Sequence, residues 1–181
     1  GIISGQFRDL SKEEMYATVH ILVDAIDDFS STRTGALMAI ERETMLNDII
    51  ESGVIIDGEM SVRLLGNLFY EGSPLHDGAV IIRGNKVYAA SCVLPLTSRQ
   101  NIGKNLGTRH RAAIGMSESS DAIIIVVSEE SGHISVAEKG RLKRNISGGD
   151  LRELLTKTFV KDTDKENSKI KKIFRGNKNE K

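Results

Sequence analysis

Twice in its second half this chain reads strand, tight turn, strand. Ala79–Arg83 and Lys86–Leu94 flank Gly84-Asn85, and the apolar run Ala122–Val127 and the alternating run His133–Ala137 flank Ser131-Gly132. Both are hairpin patterns, with turn residues between segments of strand composition. The first half differs, because the short apolar runs Gly35–Ile40 and Val54–Ile56 are separated by helical spacing rather than by a turn. Helices alternating with strands early, and hairpins late, imply an α/β fold with a mixed central β-sheet flanked by helices. A simple doubly wound domain is excluded.

The helices have their own signals. Ser11-Lys-Glu-Glu14 has the form of a capping box, and Met15, Val19, Leu22, Val23 and Ile26 recur at helical spacing, which predicts a helix over 11–28 ended by Ser30, Ser31 and Thr32. Further helices are predicted over 44–52, closing on Gly53, over 61–70, from Thr108 onward, and over about 150–160 after Gly148-Gly149. Beyond Val160 the chain is lysine-rich and poor in apolar residues. Residues 1–160 are therefore expected to form one domain and 161–181 a charged, disordered tail.

With 181 residues, 39% of them hydrophobic, the chain can bury the core of a single domain. Its formal charge is zero, so no global field draws it to nucleic acid or to an anionic membrane, and any phosphate recognition must be local. No apolar run is long enough to cross a bilayer, and no signal peptide is recognisable. The start at Gly1-Ile-Ile reads as a processed protein or a piece excised from something longer. The single Cys92 cannot form an intrachain disulfide and reads as a buried strand thiol in a reducing compartment.

Three polar segments abut predicted strand ends: Leu75-His-Asp-Gly-Ala79, Gly107-Thr-Arg-His-Arg111 and Ser128-Glu-Glu130. The second is the most distinctive. Gly107 lets backbone approach a ligand, Thr108 is a good N-cap, and the following amides stand at the positive end of a helix dipole. Arg109 and Arg111 add planar donor forks suited to phosphate, although cations at a helix start oppose the dipole. Alone, Asp77-Gly78 is a turn and Glu129-Glu130 a solvated hairpin tip. Together, Asp77 and a glutamate offer oxygen ligands, His76 offers nitrogen, and the arginines offer phosphate donors, an inventory for phosphoryl or nucleotidyl transfer. The Gly-x-Gly-x-x-Gly and Walker A patterns are absent. His20 is expected to face the core from its helix, His133 starts a strand, and His110 has two open placements, toward a ligand or into the core.

Asp77-Gly78-Ala79, followed by Gly107-Thr-Arg-His-Arg-Ala-Ala113 and Ser128-Glu129-Glu130, resembles the bacterial diadenylate cyclase domain. The match spans roughly residues 34–147. The Arg-His-Arg-Ala-Ala form is most similar to the membrane-anchored class, whose catalytic domain follows transmembrane helices. Ala112 stands where the DNA-scanning class typically has threonine, so a hydroxyl available there is missing here.

The resemblance implies a nucleotidyltransferase with a diadenylate cyclase-type fold. It would condense two ATP into cyclic di-AMP, releasing two pyrophosphates, with manganese, magnesium or cobalt. Each domain would hold one ATP, and two would meet face to face as a homodimer. On this template Asp77 orients or deprotonates the ribose 3′-hydroxyl and Gly78 and Ala79 leave room for the nucleotide. Leu94 lies against adenine. Gly107, Thr108, Arg109, Arg111 and Ser128 hold phosphates, with Glu130 nearby, and His76 and Glu129 are metal ligands, from opposite protomers. It further implies a place at the cytoplasmic face of the membrane through a segment absent from this chain, and room for a regulatory protein; with zero formal charge, no nucleic acid partner is expected. Two other readings are a catalytically silent nucleotide sensor of the same fold and an unrelated metal-dependent phosphohydrolase.

Overall fold

The structure, a computed structural model, describes residues 10–176. Seven strands form one sheet in the order β2-β4-β3-β1-β5-β6-β7, with ranges β1 Ala36–Ile40, β2 Val54–Glu59, β3 Ala79–Arg83, β4 Lys86–Cys92, β5 Ile123–Val127, β6 Ile134–Glu138 and β7 Arg141–Ile146. β1 runs parallel to β3, while the β1–β5, β3–β4, β2–β4, β5–β6 and β6–β7 pairs are antiparallel. The sheet is therefore mixed, and both predicted hairpins form.

Side chains alternate across a strand, and here the alternation feeds two cores. Met38, Ile40, Val80, Ile82, Ile123 and Ile125 point to one face, where α1 (Lys12–Thr32), α3 (Val62–Phe69) and the start of α5 (Gly148–Gly176) cover them. Leu37, Ala39, Ile81, Ile124 and Val126 point to the other, under α4 (Thr108–Ser119) and α2 (Asn47–Ile50). Such burial on both faces explains why the central strands are continuously apolar.

Several boundaries differ from expectation for local reasons. The Ser11 capping box forms, but α1 continues through Ser31 and Thr32, whose hydroxyls bond back to the Asp28 carbonyl at 2.9 and 2.8 Å. Arg33 ends it in the left-handed region, φ 53°, donating its amide to Phe29 and Ser30 carbonyls. α2 is shorter than 44–52, because the Glu43 and Thr44 amides are taken by the Asp121 carboxylate and the Leu46 amide by Glu41 at 2.7 Å. Glu41 is fully buried and pairs with Arg83, Nε to Oε1 2.6 Å, at the end of the sheet away from the polar segments. β2 extends to Glu59 through a register shift between Ile55 and Gly58.

Two elements depart further. β7 was not expected as a strand, since Arg141, Lys143, Arg144 and Asn145 lie exposed on a sheet edge and supply no apolar alternation. α5 was expected to stop near Val160, but runs to Gly176, so 161–176 is helical where a charged tail was expected. Its packing contribution ends earlier: Leu151, Leu155 and Phe159, spaced by four, carry the buried stripe, and straight-chain residues of good helix propensity extend it. Residues 177–181 of that expected tail lie outside the described residues. His20 is also corrected, because its side chain is 63% exposed and pairs with Asp24 at 3.2 Å instead of facing the core.

Candidate active site

Strand register brings the three polar segments to one end of the sheet. Met38 pairs with Val80 in the parallel β1–β3 ladder and Ala36 with Val127 in the antiparallel β1–β5 ladder, so Gly78, Ala36 and Val127 lie side by side. Asp77 enters β3, Gly35 enters β1, and Ser128 and Glu129 leave β5 at that same end. β4 leaves there too, since Ala79 pairs with Cys92. At about 4.8 Å per strand, the β3 entry and the β5 exit are about 10 Å apart at their bases.

The turn into β3 depends on glycine. Gly78 has φ 90°, and a Cβ there would stand 2.7 Å from the Cys92 carbonyl oxygen and 2.9 Å from the Ser91 carbonyl carbon. Backbone packed this closely turns Asp77 outward, with its side chain 86% exposed. Ala79 behind it is fully buried. His76 is less exposed, at 28%, and its Nδ1 lies 2.7 Å from the Ser73 carbonyl. A proton on Nδ1 donates to that carbonyl, which orients the ring so that Nε2 lies 3.4 Å from Asp77 Oδ1. Cys92 contributes no nucleophile, because burial pushes its thiol up to about 11.

The cap of α4 lies one residue before the expected Thr108. Gly107 is the N-cap, extended at φ −81° and ψ −173°, with no side-chain cap bond, and Thr108 is the first helical residue. A Cβ at Gly107 would meet no atom within 4 Å, so the space before the helix opens to solvent. Gly115 lets α4 press onto the segment leaving β4, since a Cβ there would stand 2.6 Å from the Thr97 amide nitrogen. The Thr97 amide in turn donates to the Arg111 carbonyl at 3.1 Å. Arg111, half-buried in the first turn of α4, is thus tied through its carbonyl to the segment leaving β4. Buried His110 takes the core placement, and burial, then Arg144 and Arg109, lower its pKa.

Arg109 reaches back across the sheet end. Its guanidinium lies where a Gly35 Cβ would be, 2.6 Å from Nη1 and 2.8 Å from Cζ, and Nη1 is 3.6 Å from Glu129 Oε2. Glu129 is the more exposed partner, at 67%, so the pair adds little stability and a ligand can displace it. The Ser128 hydroxyl accepts from the Glu130 and Ser131 amides at 3.3 and 3.4 Å, which shapes the turn carrying both glutamates. Glu130 is exposed and its carbonyl accepts from Arg33.

The structure thus groups Arg109, Glu129 and Gly35 directly, and places Asp77, Gly78 and His76 at the neighbouring strand entry. Leu94, expected against adenine, lies at the β4 exit but is only 4% exposed and packs in the core under α4, so it offers a ligand little surface. Gly35 escaped the sequence reading, which took it as the first residue of a strand. Its signal is spatial: the contact spans 74 positions, from 35 to 109. Among the described residues, no three His, Cys, Asp or Glu side chains gather closely enough to cage a cation.

A family profile described as DisA bacterial checkpoint controller nucleotide-binding matches residues 23–142. The cyclic di-AMP synthase CdaA of Bacillus subtilis is 44% identical over 168 residues, 93% of this chain and 61% of that protein. A diadenylate cyclase of Listeria monocytogenes is 43% identical over 165 residues, 89% of this chain and 60% of that protein. The crystal structure of a double mutant of DacA from Staphylococcus aureus superposes with a TM-score of 0.79 at 46% identity, covering 82% of this chain and 99% of that one. The chain spans about three fifths of the length of the two curated relatives.

Proposed function

Because this chain belongs to the bacterial diadenylate cyclase family, we propose that it condenses two ATP into cyclic di-AMP with release of two pyrophosphates. The observation that carries this reading is the convergence of Asp77 and Arg109 on one open end of the sheet, one from the β3 entry and one from α4. The 3′-oxygen of each ribose attacks the α-phosphorus of the other ATP. A new oxygen–phosphorus bond forms, the bond to the bridging oxygen breaks, and pyrophosphate leaves with its electron pair. Asp77, exposed and carboxylate, takes the hydroxyl proton. Arg109, with Thr108, Arg111 and the first-turn amides of α4, holds phosphate oxygens, and Ser128 stands beside them. Positioning and charge neutralisation of this kind supply most of phosphoryl-transfer catalysis.

Two reciprocal attacks require two sites, so the active form is a homodimer with the sheet ends facing one another. The donor chemistry fits a divalent cation. His76 presents Nε2, Glu129 an exposed carboxylate, and a second copy with phosphate oxygens completes a set that one chain lacks. Such a cation would neutralise phosphate charge as pyrophosphate departs. The catalytic unit is residues 1–160, and the likeness to membrane-anchored cyclases supports attachment at the cytoplasmic face of the membrane through a segment outside this chain. Among the described residues no helix is long and apolar enough to cross a bilayer.

The test is incubation with ATP and manganese, with products identified by mass and specific activity followed on dilution. Cyclic di-AMP should form, and specific activity should fall as the protein is diluted. Unchanged ATP would favour a silent sensor, ADP or AMP alone a phosphohydrolase, and dilution-independent cyclisation would remove the shared site.

A further inference from the structure

We infer that Ser30 and Arg33, at the C-terminal end of α1, are positioning residues that clasp the Ser128–Gly132 turn and so fix where Glu129 stands. The inference rests on the reading of Glu129 as a cation ligand. Two contacts make the clasp. Ser30 Oγ donates to the Gly132 carbonyl at 2.6 Å, and Arg33 Nη1 donates to the Glu130 carbonyl at 3.2 Å. Gly132, φ 74°, lies so close to α1 that a Cβ there would run into the Ser30 carbonyl oxygen.

The two sets of bonds divide the work. Within the turn, Ser128 Oγ accepts from the Glu130 and Ser131 amides and the Ser128 carbonyl accepts from the Gly132 amide at 2.8 Å. Those bonds set the shape of the turn. The β5–β6 ladder, extended by the Ser128 amide to the His133 carbonyl at 3.1 Å, holds the base of the turn; the bonds from α1 tie its tip to a helix, and the Glu130 carbonyl anchored by Arg33 is one residue from the Glu129 carboxylate.

The identity of residue 33 carries the same message. Its φ of 53° is a helix-end conformation that glycine or asparagine adopts more cheaply. An arginine there makes sense through its reach to Glu130. The segment that follows, Thr34-Gly35, passes directly under Arg109, so the end of α1 bears on both flanks of the Arg109–Glu129 pair.

Arg33→Gly tests this, because glycine suits the backbone and removes only the reach; Ser30→Ala removes the other bond. The measurements are amide hydrogen exchange at residues 129–132, melting temperature, and the manganese concentration giving half-maximal cyclisation, with Glu129→Gln as the reference. The clasp predicts faster exchange at the turn, a melting temperature for Arg33→Gly no lower than wild type, and a half-saturating manganese concentration raised about three- to tenfold. At saturating manganese the rate should return to within about twofold of wild type, and Arg33→Gly in the Glu129→Gln background should add no further shift. Unchanged exchange overturns the clasp. So does faster exchange with unshifted manganese dependence while Glu129→Gln shifts it. If Glu129→Gln itself leaves manganese dependence unaltered, the ligand reading of Glu129 fails and the positioning role falls with it.

Discussion

The guanidinium of Arg109 occupies the space a side chain on Gly35 would fill, with Nη1 2.6 Å from that Cβ position. The glycine before β1 is thus a vacancy kept for an arginine of α4. Gly35→Ala should preserve the fold, since its neighbours enter the sheet by backbone pairing, yet push the guanidinium off its path. We expect KM for ATP to rise about tenfold, the scale of one charge-assisted hydrogen bond. Steady-state kinetics alongside Arg109→Ala checks it; wild-type KM in Gly35→Ala with a damaged Arg109→Ala would disconnect the two.

Asp77→Asn should bind ATP normally and lose about 10²- to 10⁴-fold in cyclisation, the range for a missing general base. The side chain is 86% exposed and supports no core packing, so thermal unfolding should match wild type. A variant cyclising at the normal rate would leave the 3′-hydroxyl proton to another group.

Metal preference should trace to His76. With Nδ1 held by the Ser73 carbonyl, Nε2 is the open nitrogen, and imidazole suits manganese or cobalt better than magnesium. Manganese should outperform magnesium at equal concentration, and His76→Ala should shrink that advantage. Identical preference and half-saturating concentrations in both proteins would exclude His76 as a ligand.

Stability should fall in mild acid because of His110. Its folded pKa is lowered below the ordinary 6.5 by burial first, then by Arg144 and Arg109. Above 6.5 both states are neutral. As pH drops through 6.5 the unfolded chain takes a proton that the folded chain refuses, so stability declines until the folded pKa is reached, by at most about 1.4 kcal/mol per pH unit. Urea unfolding at pH 7.5 and 5.5 should show this loss, and His110→Gln should reduce it; equal slopes would place the acid sensitivity elsewhere.

The parts legible in the sequence were those encoded locally. The apolar runs at Ala36–Ile40 and Ile123–Val127, buried on both faces, announced themselves as central strands, and the polar segments following or preceding them had to lie at strand ends. β7 was illegible because an edge strand of Arg141, Lys143 and Arg144 buries too little to alternate. Thr108 was taken for a cap on propensity, while Gly107 holds that position, a one-residue choice that tertiary packing of α4 decides. The Gly35–Arg109 and Ser30–Gly132 contacts join positions 74 and 102 residues apart, and no local pattern records them.

The order of strands also governs when this protein can become competent during its synthesis. β1 sits between β3 and β5, so Gly35 and Asp77 leave the ribosome well before the strand that closes the other side of β1. Until β5 docks, Arg109 lacks Glu129 and the sheet end lacks its far wall. A nascent or truncated chain ending before Val127 therefore lacks one side of this sheet end, and any ligand that Arg109 and Glu129 are to hold together must wait for domains completed past the β5–β6 hairpin.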